Sequence, residues 1–370
     1  MQAGDDRRFM QSALALAWRG LGNVWPNPAV GCVIVKDGIV IGRGWTQPGG
    51  RPHAETEALR RAGPAARGAT VYVTLEPCSH HGQTGPCADA LIEAGVARVI
   101  AALGDPDPRV AGQGFARLAA AGIETEVGTS ADQARELNRG YLLRIEAGRP
   151  LVTLKLALSL DSRIATRTGD SQWITGSDAR AAAHGLRASH DAVAVGVGTA
   201  ATDDPHLTCR LPGLPLRPPI RVVFDSRLQL SLTRQLISTA MVTPTWIVTL
   251  EDSLRGASAD RAGALKDLGV TLVPAAPGET GTISVVAALR ALGELGLTRL
   301  LVEGGGRLAA SFLAEDMVDE LVVFRAGTII GGDGIAGIGG LGLERVADAA
   351  RFRLIDSRSC GLDRMEVYRP

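Results

Sequence analysis

The sequence TLEPC at residues 74–78 ends a β-branched segment, and HAE at residues 53–55 opens an apolar helical segment before it. A further cysteine, Cys87, follows after eight intervening residues. Zinc in proteins favours four tetrahedral ligands, and a catalytic site leaves one of these positions to water. One imidazole and two thiolates fill the other three positions. His53, Cys78 and Cys87 are therefore predicted to hold a catalytic Zn2+.

Glu55 is the predicted catalytic residue, because it lies two residues after His53. Zinc lowers the pKa of a bound water, and a nearby carboxylate can take the water's proton and pass it to a leaving amine. The pattern H-x-E followed by P-C-x-x-C is the signature of zinc-dependent nucleobase deaminases, and here the cysteine spacing is longer. Taken singly, His53 reads as a surface residue and the cysteines as buried apolar residues. The joint pattern favours deamination of a nucleobase-like amine.

Length and composition limit the class of protein. A chain of 370 residues is long enough for two domains. Its 39 basic residues equal its 39 acidic residues and its aromatic content is 4%, so we expect no nucleic-acid partner. No apolar run reaches membrane-spanning length and no signal peptide is evident, so we expect no membrane partner and a cytoplasmic location. The odd cysteine count argues against a disulfide framework, and Cys32, Cys209 and Cys360 are expected to be structural.

The segment EAGRP at residues 146–150 is a predicted linker between a domain at 1–147 and a domain at 151–370. In the first domain, two apolar runs flank Asp37-Gly38, which predicts a β-hairpin. In the second, predicted strands alternate with helices, which implies a largely parallel sheet. The predicted strands of this second domain are 151–158, 192–195, 220–224, 245–249, 270–273, 300–302 and 321–324, and its predicted helices are 178–188, 257–268, 282–295 and 306–314.

Four motifs of the first domain carry a family resemblance. They are PNPAVG at 26–31, HAE at 53–55, EPCSHHG at 76–82 continuing to Cys87, and DPDPRV at 105–110. Together they resemble the motifs of the bifunctional deaminase–reductase family of riboflavin biosynthesis. The long cysteine spacing is characteristic of that family and separates it from cytidine and tRNA adenosine deaminases.

Motifs in the second domain resemble the same family, in the same order. They are KLA at 155–157, SLD at 159–161, SQWIT at 171–175, LRA at 186–188, VGVGT at 195–199, DDP at 203–205, DS at 225–226 and EGGG at 303–306. The resemblance therefore covers essentially the whole chain.

The resemblance implies a fold class and a pair of reactions. The implied class is α/β, with an N-terminal cytidine-deaminase-like three-layer domain and a C-terminal dihydrofolate-reductase-like domain. The implied substrate is a small phosphoribosyl pyrimidine, 2,5-diamino-6-(5-phosphoribosylamino)pyrimidin-4(3H)-one. A zinc-dependent hydrolase would remove its 2-amino group, and an NADPH-dependent oxidoreductase would then reduce the ribosyl side chain to ribityl. The implied cofactors are Zn2+ and NADPH, and the implied assembly is a homo-oligomer, a dimer or larger.

The resemblance also implies binding residues. Glycines between a strand and a helix let backbone N–H groups approach a phosphate, and a guanidinium binds phosphate in bidentate fashion. The expected cofactor-binding residues are Ala157, Trp173, Thr199, Asp203, Ser226, Gly304, Gly305 and Gly306. The expected substrate-binding residues are Asn27, Ser171, Arg187, Leu207, Arg210 and Glu303, with the two arginines at the substrate phosphate.

Simpler interpretations stay open at single residues. Asn27 lies in a Pro-Asn-Pro sequence, which is also a common turn. Arg187 and Arg210, each taken alone, read as solvated arginines. Trp173 is either a wall of the cofactor site or a core residue, and Lys155 is either a reductase general acid or a structural strand residue.

Four residues depart from the family's pattern. Gln83 stands where Lys or Arg is common, and Thr46 stands where some members have a pocket histidine. Asp107 replaces a common Asn, and Ser162 replaces a usual Gly. These departures concern the substrate contacts rather than the reaction class.

Two other functions compete with this prediction. The first is a single-function zinc nucleobase deaminase with a degenerate C-terminal domain, and the cysteine spacing and the intact EGGG motif argue against it. The second is a non-catalytic binding protein with a structural zinc. Glu55 argues against the second, because a structural zinc site has four protein ligands and needs no base.

Overall fold

The computed structural model of the protein describes residues 3–80, 85–213 and 217–370, and its chain divides into two compact units, Met1–Ala147 and Gly148–Pro370. None of the helices in these described ranges is both long and apolar enough to cross a membrane.

The first unit is a five-stranded sheet with helices on both faces. Its elements are α1 (Ala3–Ala17), β1 (Gly31–Lys36), β2 (Ile39–Trp45), α2 (Ala54–Ala62), β3 (Thr70–Val73), α3 (Cys87–Ala94), β4 (Arg98–Ala101), α4 (Gln113–Ala120), β5 (Glu124–Val127), α5 (Ala131–Leu137) and α6 (Arg139–Ala147). The strand order is β2-β1-β3-β4-β5. β1 is antiparallel to β2 and β3, whereas β3, β4 and β5 are parallel.

The predicted hairpin is confirmed, since Asp37 and Gly38 connect β1 and β2 with φ values of 51° and 78°. Two positive φ values in a two-residue connection fit the right-handed twist of a hairpin. Close packing then brings α2 onto the sheet, because a Cβ atom at Gly44 would lie 2.1 Å from the Ala54 carbonyl oxygen. The first turn of α2, which carries Glu55, is therefore held directly against β2.

The second unit is built around a nine-stranded sheet. Its elements are β6 (Leu151–Leu158), β7 (Arg163–Ala165), α7 (Ser177–Ala188), β8 (Ala192–Gly196), α8 (Val197–Asp203), β9 (Ile220–Phe224), α9 (Gln235–Ser238), β10 (Thr245–Leu250), α10 (Ala259–Asp267), β11 (Thr271–Ala275), α11 (Val285–Glu294), β12 (Arg299–Val302), α12 (Gly306–Ala314), β13 (Glu320–Arg325), β14 (Ile335–Ala336), β15 (Arg353–Cys360) and β16 (Asp363–Arg369). The strand order is β11-β10-β9-β8-β12-β6-β13-β16-β15. The first seven strands of that order run parallel, which confirms the predicted parallel sheet.

The prediction missed the antiparallel end of this sheet. β16 pairs with β13 and with β15, and the pairing strand β15 is polar and mostly exposed. Such a strand lacks the apolar alternation that identifies strands in sequence. The predicted helices also did not include α8.

Candidate active sites

The three predicted zinc ligands come together in the first unit. His53 precedes α2, Cys78 follows β3, and Cys87 begins α3. The Nδ1 atom of His53 lies 3.6 Å from the Cys78 Sγ and 3.3 Å from the Cys87 Sγ. The three ligand atoms all lie within 4.8 Å of one another. One nitrogen and two sulfur donors at such separations form the donor set that zinc prefers, with one position left open, so these residues fit a catalytic zinc ion.

The hydrogen bonds around Cys78 favour its thiolate. The Cys87 N–H donates to the Cys78 Sγ at 3.3 Å, at the N-terminal end of α3. Hydrogen bonds from Cys87, together with one from His53, outweigh burial and lower the pKa of Cys78 to about 4. The positive end of a helix also stabilises a thiolate. The local fold therefore prepares the Cys78 sulfur for metal binding, whereas the hydrogen bond with the Cys78 side chain, together with burial, raises the pKa of Cys87.

Glu55 lies beside these ligands in the first turn of α2, and only 3% of its surface is exposed. Burial raises the pKa of its carboxyl to about 7, and the charge of His53 opposes part of that rise. A carboxyl with a pKa near neutrality can both accept and release a proton at physiological pH. The position and environment of Glu55 suit a proton carrier.

His53, Cys78 and Glu55 line a cavity of about 540 Å³ that also contains Asn27. Asn27 Nδ2 donates to the Gly50 carbonyl at 3.3 Å. The turn at residues 26–29, which contains Asn27, is held by Asn138. The Asn138 side chain makes two hydrogen bonds of 3.0 Å with the backbone of Ala29. Asn138 lies between α5 and α6.

Several cavity residues were not among the predicted site residues. Glu76 after β3, Asp105 and Arg109 in the loop that follows β4, and Tyr141 on α6 all line the same cavity. Polar residues directly after a parallel strand are the signal that could have identified this loop, because such loops meet at one edge of a sheet.

The departures from the family pattern have local explanations. The Thr46 hydroxyl accepts a hydrogen bond from the Val30 N–H at 3.0 Å, so it ties β2 to the turn before β1. Asp107 pairs with the Arg109 guanidinium, which lowers the pKa of the aspartate. Ser162 has a φ of 64°, a conformation that glycine adopts most easily. Gln83, like His81 and Gly82 of the quoted motif, lies outside the described residues.

Two adjoining cavities in the second unit contain most of the predicted reductase residues. Their volumes are about 480 and 440 Å³, and both are lined by Thr199 and Gly305. The first also contains Ser226 and Gly306. The second also contains Lys155, Ala157, Ser171, Trp173, Asp203, Glu303 and Gly304.

Glycines at the start of α12 form a cradle between these cavities. A Cβ atom at Gly306 would lie 2.7 Å from the Ala336 carbonyl oxygen, so the backbone approaches too closely for a side chain. The Gly305 N–H donates to the Thr199 hydroxyl at 3.2 Å. The N-terminal end of α12 borders these cavities, and the positive end of a helix suits the pyrophosphate of a dinucleotide, while the paired cavities suit its two nucleosides. These residues fit NADPH.

Glu303 and Arg187 bind each other. Arg187 Nε donates to Glu303 Oε1 at 2.6 Å, and Nη2 donates to Oε2 at 3.0 Å. Lys155 Nζ lies 3.7 Å from the same carboxylate. Burial alone raises the pKa of Glu303, but the two cations outweigh burial and lower that pKa to about 2.

Three other predicted residues have distinct surroundings. Leu207 is 3% exposed and packs in the apolar core, and Arg210 contacts His184 through its backbone N–H. The described walls of the two cavities include neither of these residues, nor Arg187. Trp173 is 67% exposed beneath the Arg180 guanidinium, so the interpretation of a core tryptophan is wrong.

Comparison with known proteins agrees with this arrangement along the whole chain. Residues 3–103 match the cytidine and deoxycytidylate deaminase zinc-binding region, and residues 150–364 match the RibD C-terminal domain. The riboflavin biosynthesis protein RibD of Escherichia coli is 42% identical over 370 residues, which cover 97% of each protein.

Solved structures agree with both the fold and the family. Acinetobacter baumannii RibD, form 2, has a TM-score of 0.89 at 38% identity, with 100% of both chains covered. A diaminohydroxyphosphoribosylaminopyrimidine deaminase/5-amino-6-(5-phosphoribosylamino)uracil reductase of Thermotoga maritima has a TM-score of 0.85 at 34% identity, also with 100% of both chains covered. The predicted fold class is confirmed, and the chain belongs to the RibD family of riboflavin biosynthesis proteins.

Proposed function

We propose that the chain is a bifunctional enzyme of riboflavin biosynthesis that deaminates 2,5-diamino-6-(5-phosphoribosylamino)pyrimidin-4(3H)-one and then reduces its ribosyl side chain with NADPH. The observation that carries the proposal is the pairing of two sites in one chain. The first unit has a His-Cys-Cys ligand set beside a buried carboxylate. The second has a glycine cradle between two cavities.

In the deaminase unit, His53, Cys78 and Cys87 hold zinc, which when bound makes a water molecule acidic enough to act as the nucleophile. Glu55 accepts one proton from the attacking water and delivers it to the ring nitrogen, and it then accepts the second proton from the hydroxyl that is now bonded to the ring carbon and delivers it to the departing amine. The carbon–nitrogen bond breaks, a carbonyl forms, and ammonia leaves. Asn27 offers an amide donor and acceptor to the pyrimidine or its ribose.

In the reductase unit, NADPH when bound supplies a hydride to the sugar carbonyl carbon. Gly304, Gly305 and Gly306 receive the pyrophosphate, together with Thr199. The other proposed cofactor-binding residues are Ala157, Trp173, Asp203 and Ser226, and the proposed substrate-binding residues are Ser171, Arg187, Leu207, Arg210 and Glu303. Since the Leu207 side chain is buried, its backbone is the part that offers a substrate contact. Lys155 lies on the cavity wall and can donate a proton to the sugar oxygen.

Zinc removal separates the two activities. A zinc chelator is expected to stop ammonia release and to leave NADPH oxidation intact when the deaminated intermediate is supplied, because the ligands lie in the first unit alone. Ammonia and the absorbance of NADPH are measured with the same preparation, before and after zinc is restored.

A different result would contradict the deaminase and the reductase parts of the proposal. Undiminished ammonia release from protein verified to lack zinc contradicts the deaminase half. A zinc-loaded protein that releases ammonia but never oxidises NADPH in the presence of the intermediate supports the single-function deaminase instead. The match of residues 150–364 to the RibD C-terminal domain favours two activities.

The proposal includes a homo-oligomer and a cytoplasmic location. β15 lies at the end of the nine-stranded sheet, and its Leu354 and Ile355 are 51% and 42% exposed. Exposed apolar residues on an edge strand favour association with another chain.

The proposed cytoplasmic location is supported by the cysteines. All five are free, as is usual in reducing compartments.

An Ile355→Lys variant is expected to shift the oligomer toward monomer in light scattering coupled to size-exclusion chromatography, because charge on an edge strand opposes pairing. Val346→Lys changes another exposed apolar residue and is the matched control. A monomeric unaltered protein contradicts the oligomer, and an Ile355→Lys variant that keeps the oligomer contradicts the role of β15.

A further inference from the structure

Glu76 is a buried carboxylate that binds three backbone N–H groups of one loop. Its Oε2 accepts from the Asp105 N–H at 3.2 Å and from the Gly112 N–H at 3.0 Å. Its Oε1 accepts from the Gly114 N–H at 2.9 Å. Only 4% of the residue is exposed. Both oxygens therefore accept hydrogen bonds from the segment that runs from the end of β4 into the first turn of α4.

The same segment forms a wall of the deaminase cavity. Asp105, Asp107, Arg109 and Val110 all line that cavity. Asp105 accepts hydrogen bonds from the Asp107 N–H at 3.0 Å and from the Tyr141 hydroxyl at 3.1 Å. Asp107 in turn accepts from the Arg109 N–H at 3.0 Å. Each carboxylate thus fixes the backbone that follows it, and the series begins at Glu76.

Glu76 also stands two residues before the zinc ligand Cys78. One short stretch of chain therefore connects the metal site to the cavity wall formed by residues 105–110. The connection is tight, because a Cβ atom at Gly114 would lie 2.1 Å from the Pro77 carbonyl oxygen and 3.1 Å from Glu76 Oε1. Gly114 and the Glu76 carboxylate therefore hold the 105–114 loop against the segment after β3 that carries Cys78.

We propose that Glu76 is a positioning residue that fixes the 105–114 loop, and so sets the distance between the zinc ligands and the wall that contacts the pyrimidine substrate. This inference rests on the proposed deaminase function. The side chain holds the wall through its three backbone bonds and takes no part in proton transfer. Its loss therefore weakens substrate binding more than it slows the reaction of bound substrate.

The Glu76→Gln variant of the full-length protein tests this role. Glutamine keeps the size of the side chain but turns one acceptor oxygen into a donor that faces a backbone N–H. We expect the KM for deamination to rise by about tenfold or more, because bonds to a charged acceptor are among the stronger hydrogen bonds. We expect kcat to change much less, and zinc content and reductase activity to stay at the level of the unaltered protein.

Glu315→Gln is the matched control. Glu315 also accepts backbone N–H bonds, from Val285 at 2.8 Å and Val286 at 3.0 Å, but it lies in the second unit. The control is expected to leave the KM for deamination unchanged. Glu76→Asp, which keeps the charge on a shorter side chain, is expected to give a smaller rise in KM than Glu76→Gln.

Three outcomes overturn the inference. The first is an unchanged KM in Glu76→Gln. The second is a loss of zinc that accompanies the loss of activity, which would make Glu76 a support for the metal ligands. The third is an equal effect in Glu76→Asp and Glu76→Gln.

A second variant covers the case in which Glu76→Gln fails to fold. Gly114→Ala disturbs the same contact from the loop side, and the same rise in KM is expected. An unchanged KM in a folded Gly114→Ala protein overturns the inference. An unaltered protein that releases no ammonia from the pyrimidine contradicts the proposed function itself, which is a different result from any of these.

Discussion

The Glu55→Gln variant is expected to release ammonia about 10²–10⁴-fold more slowly than the unaltered enzyme, the range that general acid–base catalysis contributes. Glutamine fills the same buried space beside His53 but can neither accept the proton of the attacking water nor deliver one to the leaving amine. The metal ligands are unchanged, so we expect full zinc content by elemental analysis. NADPH oxidation with the deaminated intermediate should also be unchanged, because that site lies in the second unit.

Glu57→Gln is the control for this experiment, since Glu57 stands on the same helix but pairs with Arg60 and Arg61. It is expected to deaminate at the rate of the unaltered enzyme. Deamination by Glu55→Gln at that same rate would remove Glu55 from the mechanism. A Glu55→Gln protein without zinc would instead show that the carboxylate supports the metal site.

The second large effect is expected at the Arg187–Glu303 pair. Removing one partner of a buried ion pair typically destabilises a protein by about 3–5 kcal/mol, because the other charge stays buried without its counterpart. In Glu303→Gln, both Arg187 and Lys155 lose that counterpart. We expect the free energy of unfolding of the second unit to fall by about that amount, and reductase activity to be lost.

A double variant separates stability from activity. Arg187→Met combined with Glu303→Gln removes the charge of both partners, so part of the stability should return while reductase activity stays lost. Arg345→Ala is the control, because its partner Asp348 and Arg345 itself are exposed and such pairs contribute little. Unfolding of Glu303→Gln at the denaturant concentration of the unaltered protein would contradict the stabilising role of the pair.

Acid gives a further test of the same pair. The pKa of Glu303 is about 2 in the folded protein and 4.5 for an ordinary glutamate. A carboxyl whose pKa is lower in the folded protein stabilises the folded state at every pH above its ordinary pKa of 4.5. That stabilisation is lost as the pH falls from 4.5 toward 2. The unaltered protein should therefore lose stability across this pH range more steeply than Glu303→Gln, as measured by denaturant unfolding.

The zinc site could be predicted from sequence because its signals are local. His53 and Glu55 share one turn, and Cys78 and Cys87 stand at the ends of neighbouring elements. Zinc restricts the possible donors so strongly that residue type and spacing carry most of the information. The parallel sheet was predictable for a similar reason, since its buried strands are continuous apolar runs.

The rest of the sites depends on contacts between distant parts of the chain. Arg187 and Glu303 are 116 positions apart, and neither residue type indicates the other as its partner. Glu76 reads as part of the cysteine motif, and only the fold shows that its carboxylate holds the loop at 105–114. β15 is polar and mostly exposed, so this strand carries little periodic signal.

The division of the chain into two units, each with its own site, has a genetic consequence. A copy that lacks the Glu55 carboxylate still carries an intact glycine cradle, and a copy with an altered cradle still carries an intact zinc site. A cell that makes both defective copies possesses both chemistries. Such a strain regains growth without added riboflavin when the deaminated intermediate passes through solvent from one molecule to the other, and two alleles that each fail alone then complement each other.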